Sequence, residues 1–408
     1  MIPYKDIWIL FTTRSLRLFF YGFLSVILAL YLSEIGLSAG LIGLLFTFTL
    51  AGDAAITLWL TTSADTFGRK RTLLIGALLM MFAGVVFIIT DNLLILIAAA
   101  IIGVLSPSGN EIGPFLSVEQ AAFTQLLPDT QRTRAFAWYN LAGSFSTALG
   151  ALTSGGLAQV LIAKGLDQVA AYRIVLLGYA MGGFILFALF LLLSKEIELK
   201  PSAESRSAPR LLGLHRSRAT VFQLAGLFAL DAFAGGLVIQ SMLSYWFHIK
   251  YGLPAGVLGS IFFGANILAG ISALLAVRLA RQIGLIRTMV FTHIPSNFLL
   301  MLVPLMPGLS LAIIVLLLRY SISQMDVPTR QSYTMAVVAP DERSAASGVT
   351  TIARSIGAVF SPALSGLFLT SALLFNLPFF LAGGLKIVYD LLLYRKFVTL
   401  KPPEEASV

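Results

Sequence analysis

The sequence predicts an all-α integral membrane protein: twelve transmembrane helices in two six-helix, pseudo-symmetric bundles. Three observations predict this fold. Hydrophobic residues make up 58% of the 408-residue chain and charged residues 12%, whereas a soluble domain carries about 25% charged residues. The apolar residues fall into twelve runs long enough to cross a bilayer. Short polar motifs also recur in the same order in the two halves of the chain.

A crossing helix needs about 20 mostly apolar residues to traverse about 30 Å of hydrocarbon. Reading between charges and turn signals places spans 1–12 at 15–34, 39–62, 72–90, 93–127, 133–162, 170–194, 219–249, 254–279, 287–306, 309–338, 343–373 and 376–396. The last two divide at Asn376-Leu377-Pro378. The first run follows Arg14 and Arg17, is long enough to span and lacks a small-residue cleavage pattern, so it reads as a helix and not as a cleaved leader. The polar stretch 195–218 separates spans six and six. The domains are therefore 1–194, a cytoplasmic linker at 195–218, and 219–408, which ends in a short cytoplasmic tail.

Lys and Arg in short loops accumulate on the cytoplasmic side. With the N-terminus inside, 22 of the 28 basic residues fall on the inner side: Lys5, Arg14, Arg17, Arg69, Lys70, Arg71, Arg132, Arg134, six in the linker, Arg278, Arg281, Arg287, Arg330, Arg343, Arg395, Lys396 and Lys401. Lys164, Arg173 and Lys250 fall outside, and Arg319, Arg354 and Lys386 lie within apolar spans. Both termini are thus expected in the cytoplasm, in a multi-pass protein of the plasma (inner) membrane. This distribution accounts for the net charge of +9 without a nucleic-acid partner. The absence of cysteine and the separation of His215, His248 and His293 give no metal-ligand spacing, so no metal or cofactor is expected. No polar domain is large enough to hold a catalytic site, which argues against an enzyme.

The internal repeat is explicit. Gly36-Leu37-Ser38-Ala39-Gly40 with Gly43 recurs as Gly252-Leu253-Pro254-Ala255-Gly256 with Gly259, an offset of 216. At the same offset, the loop from Ala64 to Thr72 matches Ala280 to Thr288, sharing Gly68 with Gly284 and Arg71-Thr72 with Arg287-Thr288. Pro128-Asp129 with Arg132 matches Pro340-Asp341 with Arg343. Six-helix halves repeated in parallel suit a transporter whose cargo binds near the bilayer midplane.

The loop Ala64-Asp65-Thr66-Phe67-Gly68-Arg69-Lys70-Arg71 resembles the signature loop of the major facilitator superfamily, Gly-x-x-x-Asp-Arg-x-Gly-Arg-Arg/Lys. Asp65, Gly68, Arg69 and Lys70 match; Thr61 and Thr66 replace a glycine and an arginine. The entry to span 1, from Arg14 to Gly22, resembles that family too. The resemblance implies a conformational latch built from Asp65, Gly68, Arg69 and Lys70, with Glu119 as a partner for Arg69 or Arg134. The simpler reading of the loop is a positive-inside anchor. Drug–proton antiporters of the superfamily carry a glycine- and proline-rich run in span 5; here span 5 keeps Gly155-Gly156, and span 11 has the closer match, Gly357 to Gly366 with Pro362.

Ionisable residues at membrane depth are costly and usually mark a cavity or a partner. Span 4 contains Ser106-Pro107-Ser108-Gly109-Asn110-Glu111-Ile112-Gly113-Pro114, which should break the helix. Glu111 with Asn110 is therefore expected in a central cavity as proton carrier or cargo ligand, or else as a cap on the bent segment. In span 10, Arg319, Ser323, Asp326 and Arg330 form one helical stripe, with Pro328 expected to kink the helix. Asp326 and Arg354 reach similar depth and are expected to pair, either as a static bridge or in the transport path. Asp231 in span 7 is a further ligand candidate, and Asp53 suits packing or gating. His293 could titrate near neutral pH, and Lys386 and Asp390, four apart, are expected to neutralise each other.

The residues together predict a secondary active transporter, a monomer exchanging a small molecule and protons across the lipid bilayer. Efflux is the leading expectation and import of a charged nutrient or ion the alternative. A non-transporting receptor or lipid-handling protein is the alternative of another class.

Overall fold

The computed structural model describes residues 4–111, 113–127, 129–198, 214–339 and 342–400. Most of the linker therefore lies outside the described residues. The helices are α1 (Tyr4–Glu34), α2 (Ala39–Phe67), α3 (Arg69–Ile89), α4 (Leu93–Ile102), α5 (Phe115–Leu126), α6 (Asp129–Ala163), α7 (Gln168–Leu191), α8 (Arg218–Gly236), α9 (Gln240–Tyr251), α10 (Ala255–Ile283), α11 (Leu285–Leu302), α12 (Leu309–Ser323), α13 (Asp326–Ala336), α14 (Arg343–Val359), α15 (Ser361–Leu369) and α16 (Leu377–Phe397). No strand occurs among the described residues. Eleven segments among them are long and apolar enough to cross a membrane. The remaining crossing is span 4, which is split between α4 and α5. Large apolar side chains such as Trp59, Leu94, Phe298 and Phe360 are exposed on these helices, as a lipid-facing surface requires.

Four spans are discontinuous among the described residues. Span 4 breaks over residues 103–114, as its prolines and glycines predict. Span 10 breaks at Gln324 and Met325, so Pro328 sits in the first turn of α13, where a missing N–H costs nothing. Span 11 breaks at Phe360 and restarts with Pro362 in the first turn of α15. Span 7 breaks after Gly235-Gly236, two weak helix formers, and resumes at Gln240.

The chain divides into two compact units, residues 1–202 with 239–263, and residues 203–238 with 264–408. In the first, α1 packs on α6 and α7, and α3 packs on α7. In the second, α8 packs on α14 and α16, and α11 packs on α16. These are the same pairings between equivalent spans: first on fifth and sixth, third on sixth. The crossings are close for the same reason in both. A Cβ at Gly22 would collide with the Thr147 backbone, and one at Gly357 with the Ala229 backbone, so small residues let the helices approach. The repeat also extends to turns: Gly68 and Gly284 hold φ of 106° and 88°. Thr72 and Thr288 each return a hydroxyl to that glycine's carbonyl, at 3.0 and 2.7 Å.

Polar helix ends are tied by carboxylates. Glu342 accepts the backbone N–H groups of His215, Arg216 and Ser217 ahead of α8, the last two at 2.7 and 2.8 Å. Desolvation pushes the Glu342 carboxyl up, but a hydrogen bond from the Ser217 side chain, together with these backbone ones, outweighs it and brings it down to about 2 from 4.5. Because the folded value is depressed, the stabilisation is fully present above about 4.5 and fades as pH falls through about 2. Glu342→Gln is therefore expected to accelerate amide exchange at residues 215–217 at neutral pH. That difference from the native protein should shrink progressively as pH falls below about 4.5, and a pH-independent difference would contradict the assignment.

Candidate functional site: two buried ion clusters

In the first unit the break in span 4 turns Glu111 toward α1. The freed backbone is satisfied locally. Asp53 accepts the Gly113 N–H at 2.6 Å, Ser106 donates to the Asn110 carbonyl at 2.8 Å, and Tyr179 donates to the Val104 carbonyl at 2.7 Å. Gly109 and Gly113 adopt φ of 71° and 76°, which a side chain would resist. Irregular backbone at this depth is tolerated where such partners exist. Asp53 thus holds the broken segment of span 4, while Asn110 is exposed.

Arg17 is fully buried and bridges two carboxylates of span 4. Its Nη2 lies 2.6 Å from Glu111 Oε1 and 2.8 Å from Glu119 Oε2, and its Nη1 lies 2.7 Å from Glu119 Oε1. Arg14 reaches Glu111 at 3.2 Å and Asn140 at 3.1 Å. Tyr139 donates to Glu119. The guanidinium groups of Arg14 and Arg17 lie 4.2 and 4.5 Å from the rings of Tyr139 and Phe115. Two cations and two carboxylates balance.

These contacts correct two expectations. Arg14 and Arg17, counted with the inner-side loops, are buried: α1 begins at Tyr4 and not near residue 15, which puts Arg14 as well as Arg17 well inside the helix. Glu119, expected beside Arg69 or Arg134, is engaged by Arg17. In the loop after span 2, Arg69 donates from its side chain to Gln125 at 2.8 Å, and Glu198 accepts the N–H groups of Arg69 and Lys70 at 2.7 and 3.1 Å. Lys70 caps the carbonyls of Leu191 and Leu193. The side chains of Asp65 and Arg134 lie outside the described residues.

In the second unit three cations converge on Asp231, which is 3% exposed. Lys386 lies 2.5 Å away, and Arg330 and Arg354 each lie 3.1 Å away. Arg330 also reaches Asp326 at 2.8 Å. Arg354 is the cation most open to solvent, with 34% of its side chain exposed. Asp390 accepts from Asn297 at 3.2 Å and lies 3.0 Å from His293 Nδ1. Ser323 is buried near the end of α12, and Arg319 lies over Tyr320 at 4.9 Å.

Two pairings therefore differ from expectation. Arg354 bonds Asp231 and not Asp326, because Asp326 opens α13 and is taken by Arg330 one turn later. Lys386 and Asp390 do not neutralise each other: Lys386 turns to span 7 and Asp390 to span 9. The break at Gln324 and Met325 also falls within the predicted stripe, between Ser323 and Asp326.

The model of the major facilitator superfamily matches residues 10–325. The chain is 29% identical to an uncharacterized membrane protein of Saccharomyces cerevisiae, YJR124C, over 97% of this chain and 94% of that one. Among solved structures, a mutant of the nucleoside transporter NupG superposes with a TM-score of 0.75 at 15% identity, covering 96% of this chain and 99% of that one. A bacterial homologue of the human lysosomal transporter Spinster gives 0.73 at 15% identity, covering 98% and 99%. The D-xylose–proton symporter gives 0.72 at 14%, covering 97% and 98%. The family match, the eleven apolar crossings among the described residues and the repeated pairings agree: the chain belongs to the major facilitator superfamily.

Proposed function

We propose that the protein is a secondary active transporter that moves a small anionic solute by alternating access, coupled to protons. The halves 1–194 and 219–408 exchange access to the two sides of a plasma membrane, with both termini cytoplasmic. The carrying observation is the cluster on Asp231. Arg354 shares that single carboxylate with Lys386 and Arg330 and is the cation most available to a ligand. A carboxylate or phosphate on a solute would satisfy its remaining donors. Glu111 is a weaker proton carrier than its position in span 4 suggested. Both its oxygens are engaged by Arg14 and Arg17, and protonating it would leave two buried guanidinium charges to Glu119 alone. This shifts the favoured coupling from proton-coupled efflux of small molecules toward movement of an anion with a proton.

The test is thermal stabilisation of the purified protein by a panel of small organic anions, cations and neutral solutes, followed by uptake of the stabilising solutes into proteoliposomes. Anions are expected to stabilise the native protein, and Arg354→Gln should remove that effect. Stabilisation by cations or neutral solutes, with no response to anions, would overturn the reading.

A further inference from the structure

We infer that His293 and Asp390 form a proton-binding site of the second unit, and that proton and anion bind there with mutual reinforcement. This deepens the anionic-solute reading and rests on it for the identity of the coupled ligand. The site lies apart from the cluster on Asp231 yet belongs to the same charge system. His293 sits on α11 and Asp390 on α16, and both are buried. Lys386, one turn before Asp390, links the pair to Asp231. Tyr389 from span 12 lies edge-on to the His293 ring and Asn297 bonds Asp390; the charged groups of the neighbouring cluster are Asp231, Asp326, Arg330, Arg354 and Lys386, of which Lys386 bonds Asp231. The surroundings are polar: Ser296 Oγ and Asn297 Oδ1, both on the His293 helix, are buried without hydrogen-bond partners. Buried atoms of that kind are rare enough to call for a reason.

Charge counting gives the coupling. Asp231, Asp326 and Asp390 carry three negative charges, and Arg330, Arg354 and Lys386 carry three positive ones. With His293 neutral the group is balanced. A proton taken up by the His293–Asp390 pair leaves one uncompensated positive charge in a buried setting, which is costly. An anion at Arg354 restores balance. By linkage, the proton strengthens anion binding and the anion strengthens proton binding by the same factor. A solute and a proton would therefore load together and move in one direction.

The test needs no cargo. The purified full-length protein is labelled with 15N at its three histidines, and His215→Gln and His248→Gln identify their signals. The His293 signal is followed over the pH range in which the protein stays folded, and a protonated form is expected to appear within it. Asp390→Asn should weaken proton binding about tenfold or more, and Asp390→Glu should retain it. Arg354→Gln, which removes a nearby positive charge, should strengthen it. A His293 signal that keeps one neutral tautomer across that range overturns the proposal. So does a midpoint indifferent to both Asp390→Asn and Arg354→Gln. If Asp390→Asn does not fold, Arg354→Gln and Asp390→Glu decide. A silent His293 in a protein still stabilised by anions removes this inference alone. A titrating His293 in a protein indifferent to anions removes the cargo reading alone.

Discussion

Replacing Arg17 with methionine is expected to destabilise the first unit by about 3–5 kcal/mol, the usual cost of breaking a buried ion pair from one side. The change leaves Glu119, itself fully buried, with no cation, and leaves Glu111 to Arg14 alone. Thermal unfolding in detergent would report the loss. The cost arises from stranded charge and not from lost volume, so Arg17→Met combined with Glu119→Leu should recover much of it; an apolar replacement of similar volume is often neutral. Arg17→Lys should not substitute. One ammonium cannot reproduce contacts from three guanidinium nitrogens to two carboxylates. An Arg17→Met protein that unfolds with the native one would mean that the bridge contributes nothing.

Asp231→Asn is expected to be the most damaging change to transport. It removes the carboxylate shared by Lys386, Arg330 and Arg354. Truncating one partner of a buried charge pair costs about 2 kcal/mol or more, equivalent to about a 30-fold loss of anion uptake in proteoliposomes. The loss should be partly reversed by Lys386→Met in the same protein, because the pair of changes removes one charge of each sign. A double variant no better than Asp231→Asn alone would show that the carboxylate acts on its own and not as the centre of a charge cluster.

Much of this was legible in the sequence because it follows from local rules. Apolar run length gave the crossings, Pro107, Gly109, Gly113 and Pro114 gave the break in span 4, and the offset of 216 led to two glycines with the same backbone geometry. The ion partners were not legible in the same way. Asp231 came forward as a buried acid, yet nothing in the chain says that Arg354, 123 residues later, chooses it over Asp326. That choice depends on the break at Gln324 and Met325, which swings Asp326 into the first turn of α13. Arg14 and Arg17 were misread for a related reason. A basic residue at the edge of an apolar run is ordinarily an anchor; the extension of α1 back to Tyr4 moves Arg14 into the helix, and the carboxylates of span 4 bury both. Removing Arg14, Arg17 and Arg330, all buried, from the inner-side count leaves 19 residues against three, so the predicted topology does not depend on the error.

The charge balance of the buried cluster in the second unit has an electrical consequence. Carrying one elementary charge across a membrane at 100 mV changes its energy by about 2.3 kcal/mol. The buried cluster is balanced when empty and is balanced again with one proton and one monovalent anion. Neither the loaded nor the returning carrier would then feel the membrane voltage, and the pH gradient alone would drive accumulation. A divalent anion would leave the loaded form negative, and its uptake would slow or quicken with the resting potential. The valence of the cargo is thus written into the current that the protein passes.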